Sequence, residues 1–318
     1  MKSALHLLLA ALLAASSTFA AEEEKKAETA PEPKPDPTES LFKGAEKPVD
    51  IGGFGSDQPI ERADMPTRGV LKFAKGTFTR TAQQHWEQFD WKPFTMKRWG
   101  RYHVRLTYTL KFAFLPSLFK IGTQSLKHPL TAAQAPNSMY LGTIYIDKPG
   151  EYGCSFYAPS SAAESSLDVI ELALIPAPEG PPPTQAGDGK IILPASSATT
   201  WSETMRYEPK PEKNCLGYWT SPDDHAEWEF EVTQPGKYAL SIIHGCGDGN
   251  HGSEILVKVA GKDLQFTTQD TGGFQKWKEL PIGEIELPAG TTRLLVDPLT
   301  KAKSAVLDIQ RLELKPVK

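Results

Sequence analysis

Glu227 to Ile243 leaves the chain few ways to fold. Trp228, Phe230 and Val232 alternate with Glu227, Glu229 and Glu231. Pro235-Gly236 then interrupts, and Tyr238, Leu240 and Ile242 alternate with their neighbours again. A period of two puts every second side chain on one face of a strand, and a Pro-Gly pair between two such runs makes a turn. The stretch predicts an antiparallel hairpin with one buried face. A fainter copy stands earlier: Phe94 and Met96 precede Trp99-Gly100, and Tyr102, Val104, Leu106 and Tyr108 follow. Two hairpins of one pattern predict a chain built twice.

Pro176-Ala177-Pro178-Glu179-Gly180-Pro181-Pro182-Pro183 divides the two copies. Consecutive prolines cannot join a central strand and hold the backbone extended, so residues 176–189 are expected to be a linker. On either side, three blocks correspond. Phe119-Lys120-Ile121 with Leu126 parallels Val257-Lys258-Val259 with Leu264. Leu141 to Ile146 parallels Ile282 to Leu287, each ahead of an X-Gly turn. Leu167 to Leu172 parallels Leu307 to Leu312. Strand blocks held constant while the lengths between some of them vary are the mark of an internal repeat. Helical periodicity is nearly absent. The expectation is an all-β protein with a first sandwich over 59–175 and a second over 190–315.

The ends belong to neither. Lys2 followed by the Leu- and Ala-rich run from Ala4 to Ala15, with Thr18 and Ala20 at the −3 and −1 places, reads as a signal peptide over 1–20. Residues 21–50 are rich in Glu, Lys, Pro and Ala and too poor in apolar groups to offset the entropy of ordering, so they read as a tether. No later run is long and apolar enough for a transmembrane helix. The net charge of −4 among 318 residues, with no basic cluster, argues against nucleic acid. The chain is expected to be secreted.

The second half carries Gly217-Tyr218-Trp219-Thr220-Ser221-Pro222-Asp223-Asp224, Trp228 to Val232, Pro235 to Tyr238, Thr271-Gly272-Gly273-Phe274-Gln275-Lys276-Trp277, Leu287 to Gly290 and Leu307-Asp308-Ile309. In these motifs and their order it resembles the β-sandwich carbohydrate-binding modules of families 6 and 35. It also looks like the accessory module at the C-terminus of secreted bacterial sulfatases and glycosidases. The resemblance implies two tandem jelly rolls of galactose-binding-like architecture. It also implies a sugar held at the loop end between aromatic walls, Tyr218 or Trp219 on one side and Phe274 on the other, with Trp277 nearby. A pyranose face stacks on a ring while its hydroxyls find polar partners at the rim. Val306 departs from the family, which places an Asn there. The resemblance further implies a structural calcium on Asp308, with Asp168 in the matching place and Glu203 as first-strand partner; no other cofactor is expected.

In an exported chain a disulfide is permissible. Cys215 and Cys246 both lack counterparts in the first half, as a bonded pair would, whereas Cys154 alternates within Glu151 to Phe156 as a buried thiol. Cys215–Cys246 is therefore the favoured bridge. His244, Cys246, Asp248 and His251 crowd a Gly-rich loop, but their spacing matches no closed metal site. Catalytic signatures are missing: there is no nucleophile elbow, no His-Glu-x-x-His and no phosphate loop. The first half contributes Trp86 and Phe89 in an aromatic-rich stretch, with Trp86 a candidate ligand platform. Arg101, His103 and Arg105 would form an outward basic stripe. The residues thus predict a non-catalytic secreted protein that binds polysaccharide or cell-surface glycan through Tyr218, Trp219, Phe274, Trp277 and Trp86. The alternative is a scaffold whose sandwiches pack on a protein partner.

Overall fold

The computed structural model describes residues 65–81, 86–159, 167–247 and 249–317, without the side chains of 80, 81, 86 and 112–114. The expected signal peptide and tether lie outside them. In the first half the strands are β1 (Leu71–Ala74), β2 (Thr77–Thr81), β3 (Trp86–Met96), β4 (Gly100–Ile121), β5 (Gln124–Ile146), β6 (Gly150–Pro159) and β7 (Leu167–Pro176). The second half has β8 (Ile191–Pro194), β9 (Thr199–Trp201), β10 (Arg206–Glu208), β11 (Cys215–Gly217), β12 (His225–Val232) and β13 (Gly236–Cys246). It continues with β14 (Glu254–Val259), β15 (Lys262–Thr267), β16 (Gly273–Leu287), β17 (Gly290–Pro298) and β18 (Asp308–Pro316). The fold is all-β. No helix among the described residues is long and apolar enough to cross a membrane.

The second half is a sandwich of two antiparallel sheets. One runs β10-β11-β18-β13-β16, with β8 also on β18; the other runs β15-β14-β17-β12-β9. The Pro235-Gly236 turn joins β12 and β13 across the two layers. The expected hairpins are therefore corrected: β12 pairs with β17 and β9 while β13 pairs with β16 and β18, and β3 and β4 likewise do not pair, because each turn carries the chain from one layer to the other. The alternating residues Trp228, Phe230, Val232, Tyr238, Leu240 and Ile242 still all enter one core. Trp228 is fully buried and its indole N–H donates to the Pro194 carbonyl at 2.8 Å, so its one polar atom is satisfied.

The first half keeps this plan with fewer breaks. Its seven strands form one sheet. The beginning of β4 pairs with β7 and with the end of β5, while the end of β4 pairs with β6 and with the beginning of β5. The long β4–β5 hairpin is bent by register shifts after Val104, Tyr108 and Leu110. The sheet therefore folds over a single core that includes Phe89, Tyr108, Phe119, Phe156 and Leu172. Each bent strand does the work of two: β4 stands for β13 and β14, β5 for β15 and β16. The pairings then agree strand for strand, β1-β7-β4-β5 with β8-β18-β13-β16 and β5-β4-β6-β3-β2 with β15-β14-β17-β12-β9. The agreement reaches single contacts. A Cβ placed on Gly142 would sit 3.1 Å from Leu126 Cδ2, and one on Gly283 would sit 3.1 Å from Leu264 Cδ2.

One element has no counterpart. Only residues 82–85 separate β2 from β3, whereas 202–224 separate β9 from β12 and hold the β10–β11 hairpin. That hairpin adds to the start of β18 through Leu216 opposite Ile309.

The proline-rich linker is a packed strap rather than a loose spacer. Ala177 N–H donates to Arg101 O, Glu179 and Gly180 N–H donate to Ser196 O, and Gln185 Oε1 accepts from the N–H groups of Thr233 and Gln234. Glu179 is buried and accepts the Arg101 N–H at 2.7 Å. Gly100, at φ 124°, makes room for it: a Cβ there would stand 2.4 Å from Glu179 Oε1. From the turn between β3 and β4, Arg98 reaches into the second half, bonding Thr200 Oγ1 at 2.8 Å and Met205 O at 3.2 Å, and is 2% exposed. Arg68 bonds Asp224 at 2.6 Å, and Trp201 packs with Tyr140, Ala173 and Ile175.

This contact corrects the expected basic stripe. His103 and Arg105 are buried and Arg101 partly so. Arg105 pairs with Glu171 at 2.8 Å and His103 Nδ1 lies 3.1 Å from Thr143 Oγ1. Burial, with Arg101 nearby, pushes the His103 imidazole down to about 3, which keeps it neutral. Their face of the sheet is where the second half docks.

Candidate ligand-binding site

The β10–β11 hairpin closes on Asn214, which takes φ 42° and accepts the Tyr207 hydroxyl at 2.7 Å. Tyr207, Leu216 and Ile309 face the core, so by alternation Arg206, Glu208, Cys215, Gly217 and Asp308 face outward from the six-stranded sheet. Gly245 of β13 stands opposite Asp308 and alternates with the core residue Cys246. Asp308 is thus flanked by glycines on both neighbouring strands, and neither flank raises a side chain beside it. A Cβ on Gly217 would lie 2.4 Å from Glu208 Oε2, and one on Gly245 would lie 1.9 Å from Phe274 O and 3.2 Å from the Trp277 ring. The result is a trough in backbone relief only, with Tyr218 at one side and Trp277 at the other: Glu208 covers Gly217, the Phe274 backbone and Trp277 ring cover Gly245, and the acid groups lie buried beneath. Three strand spacings make it about 14 Å across.

The trough is densely bonded. Lys213 Nζ donates to Glu208 Oε1 at 2.7 Å and Gln275 Nε2 to Asp308 Oδ2 at 3.1 Å. Burial, followed by the charge of Glu208, pushes the Asp308 carboxyl up to about 7. Its counterpart in the repeat, Asp168, is exposed and paired with Lys75 beside a hollow of about 250 Å³ over Phe78 and Phe89. The same residue in the same strand is buried in one half and solvated in the other; the β10–β11 hairpin makes the difference.

At the rim, Tyr218 is 48% exposed and holds a left-handed backbone, φ 59°. The Arg206 guanidinium carbon stands 3.4 Å from the centre of the Tyr218 ring and 3.4 Å from that of Trp99, which comes from the first half. The two rings are 5.9 Å apart at 69°.

The expected site residues fall into different places. Tyr218 is exposed, and Phe274 and Trp277 are half-buried. Trp219 is core, 1% exposed, and only its carbonyl serves the loop end, accepting the Val306 N–H at 2.9 Å. The ring of Trp86 lies outside the described side chains. At the loop end, Asn250 Oδ1 accepts from Ser304 Oγ and Ala305 N. His244 is fully buried in β13 while His251 is exposed, so the two histidines do not converge. The signal that points to the trough is the segment from Arg206 to Gly217, which the first half lacks.

The expected disulfide is corrected. Cys154, Cys215 and Cys246 are all free and buried. β18 runs between β11 and β13, so Cys215 and Cys246 sit two strand spacings apart, about 10 Å, beyond the reach of a disulfide. Cys215 Sγ points instead to Asp308 Oδ2 at 3.8 Å and Cys246 Sγ to Val306 O at 3.7 Å. Burial pushes the Cys154 thiol up to about 12 and that of Cys246 to about 11, and raises Cys215 as well. The native protein should therefore give no colour with a thiol reagent at pH 8, and three thiols once unfolded without reductant. One thiol on unfolding would restore the bridge.

The calcium expectation also shifts. Glu203 is exposed and pairs with Lys97 at 2.7 Å; the acid gathered with Asp308 is Glu208, together with Cys215, their ligand atoms within 4.8 Å of one another. A hard cation wants six or more oxygens, and here one donor is sulfur and Glu208 already holds an ammonium. The set does not fit calcium.

A family described as a domain of unknown function (DUF5077) matches residues 196–317. No curated protein matches the chain. Similar solved structures include a family 35 carbohydrate-binding module from Clostridium thermocellum, 17% identical, covering 40% of this chain and 98% of that one at a TM-score of 0.34. A family 35 module from Cellvibrio japonicus is 14% identical, covering 41% and 94% at 0.33. The C-terminal family 6 module of a marine laminarinase from Zobellia galactanivorans is 17% identical, covering 40% and 98% at 0.32. Of two larger neighbours, a ruminal family 26 endo-β-1,4-mannanase and a Paenibacillus xanthan lyase, this chain spans 19% and 25%. Likeness at this level carries no weight for ligand.

Proposed function

We propose that this is an exported, non-catalytic protein whose second half binds a glycan across the outer face of its six-stranded sheet. The observation that carries the reading is the trough itself. Exposed Tyr218 and half-buried Trp277 bound a floor on which half-buried Lys213 and exposed Gln275 are held by the buried carboxyls of Glu208 and Asp308. A sugar ring offers an apolar face to an aromatic side chain and hydroxyls to such polar groups. Phe274, where the loop end meets the sheet, borders the same surface.

The test is retention of the mature protein on a panel of insoluble and soluble polysaccharides, neutral, sulfated and uronic, beside Tyr218→Ala and Trp277→Ala. Each substitution removes a stacking surface worth about 1–2 kcal/mol, so affinity should fall roughly tenfold. No new reducing ends should form on incubation. Failure of the wild type to bind any glycan would sink the reading. Binding unaffected by both substitutions would move the site elsewhere.

A further inference from the structure

Tyr218 is the exposed ring of the trough, yet its backbone sits at φ 59°, a conformation that a bulky residue adopts only when its surroundings hold it there. What holds it is visible. Arg206 wedges its guanidinium against one face of Tyr218, and Trp99 stacks on the same guanidinium from the first half. Arg206 is itself 4% exposed and donates from Nη1 to Thr204 O at 2.9 Å, so it cannot swing away without leaving a buried cation unsatisfied. Trp99 is in turn placed by its neighbours: Arg98 is bolted into Thr200 and Met205, and Lys97 pairs with Glu203. The turn between β3 and β4 thus reaches from one sandwich to the binding face of the other.

We infer that Trp99 is a positioning residue for the trough: through Arg206 it fixes the Tyr218 ring in its binding orientation, so the site of the second half is complete only with the first half docked against it. This rests on the glycan reading above. It assigns the first sandwich a role that needs no ligand of its own, and it commits the ligand to a ring stacked on the exposed part of Tyr218, beside Lys213, whose ammonium lies 5.8 Å from the ring centre.

The experiment uses the full chain and the polysaccharide retained best by the wild type. Trp99→Ala should weaken retention roughly tenfold, close to the loss from Tyr218→Ala, and Trp99→Phe should recover most of it. In a Tyr218→Ala background Trp99→Ala should cost nothing further, because the ring it positions is gone. A purely structural Trp99 would instead lower affinity by the same factor in both backgrounds, and that result overturns the inference. So does wild-type affinity in Trp99→Ala when Tyr218→Ala has lost it, which would confine the site to the second half. A wild type that no glycan retains, with Tyr218→Ala equally silent, removes the glycan reading itself and this inference with it.

Discussion

Asp308→Asn should leave the protein more stable than wild type at pH 8 and confer no such advantage at pH 4. The Asp308 carboxyl is raised to about 7 from an ordinary value of 3.8 by burial first and by Glu208 second. Below pH 4 both folded and unfolded forms carry the proton, and the group contributes nothing to the difference. Between pH 4 and 7 the native state keeps a proton that the unfolded chain releases. Stability therefore falls as pH rises, by about 1.4 kcal/mol per unit, until the folded carboxyl also ionises. The accumulated cost above pH 7 is about 4 kcal/mol. Asparagine keeps an oxygen for the Gln275 amide and has no charge to desolvate. Urea titrations of both proteins at pH 4, 6 and 8 read the effect directly. A difference between them that is constant with pH would mean that Asp308 ionises like a surface acid.

Arg98→Ala should cause the largest loss of stability among substitutions at the junction of the halves. Arg98 is 2% exposed and donates to Thr200 Oγ1, Met205 O and Arg101 O, with its guanidinium 4.9 Å from the Tyr102 ring. It is also one of the cations facing Glu179, whose carboxyl burial pushes up overall and which Arg98 and Arg101 pull only part of the way back. Truncation strands buried acceptors and weakens the compensation of a buried carboxylate, a loss of about 3 kcal/mol. For a unit of this size that is a fall in melting temperature of roughly 6–12 °C. Glu179→Gln in the same chain should return part of it, since the neutral amide no longer needs the cation. Limited proteolysis should show the first new cut in the strap between Pro176 and Gly189. An unchanged melt with an uncut strap would mean that the halves are held elsewhere.

Much of the architecture was legible because burial here is set locally. The run from Trp228 to Ile242 names its own inward face, and every residue it assigned to the core is there. The internal repeat was legible in short blocks and returns as matching strand pairings, the β10–β11 hairpin apart. What the short blocks concealed was the continuity of β4 and β5. Residues 101–121 contain no glycine, which was the one sign that the strand runs on, and the bend comes from bulges that leave no residue signature. Arg101, His103 and Arg105 read as solvated because alternation specifies that a face is polar, not that another sandwich covers it. The site was half legible. Tyr218 stood out by its glycine context. The burial of Asp308, the separation of Cys215 from Cys246 and the prop beneath Tyr218 all follow from where β10–β11 and the turn at Trp99 come to rest, and those are contacts between segments far apart in the chain.

The place of β18 has a consequence for how the second half is made. It is the last strand of that half, yet it lies in the middle of the larger sheet, with β13 on one side and β8 and β11 on the other. Until it arrives, β8 and β11 have no sheet to join, Asp308 is not there to be buried, and the Trp99 turn has no finished surface to clasp. Synthesis from the N-terminus therefore delivers a first sandwich that can close early and a second that must wait, its apolar strands open, for the nine residues of β18.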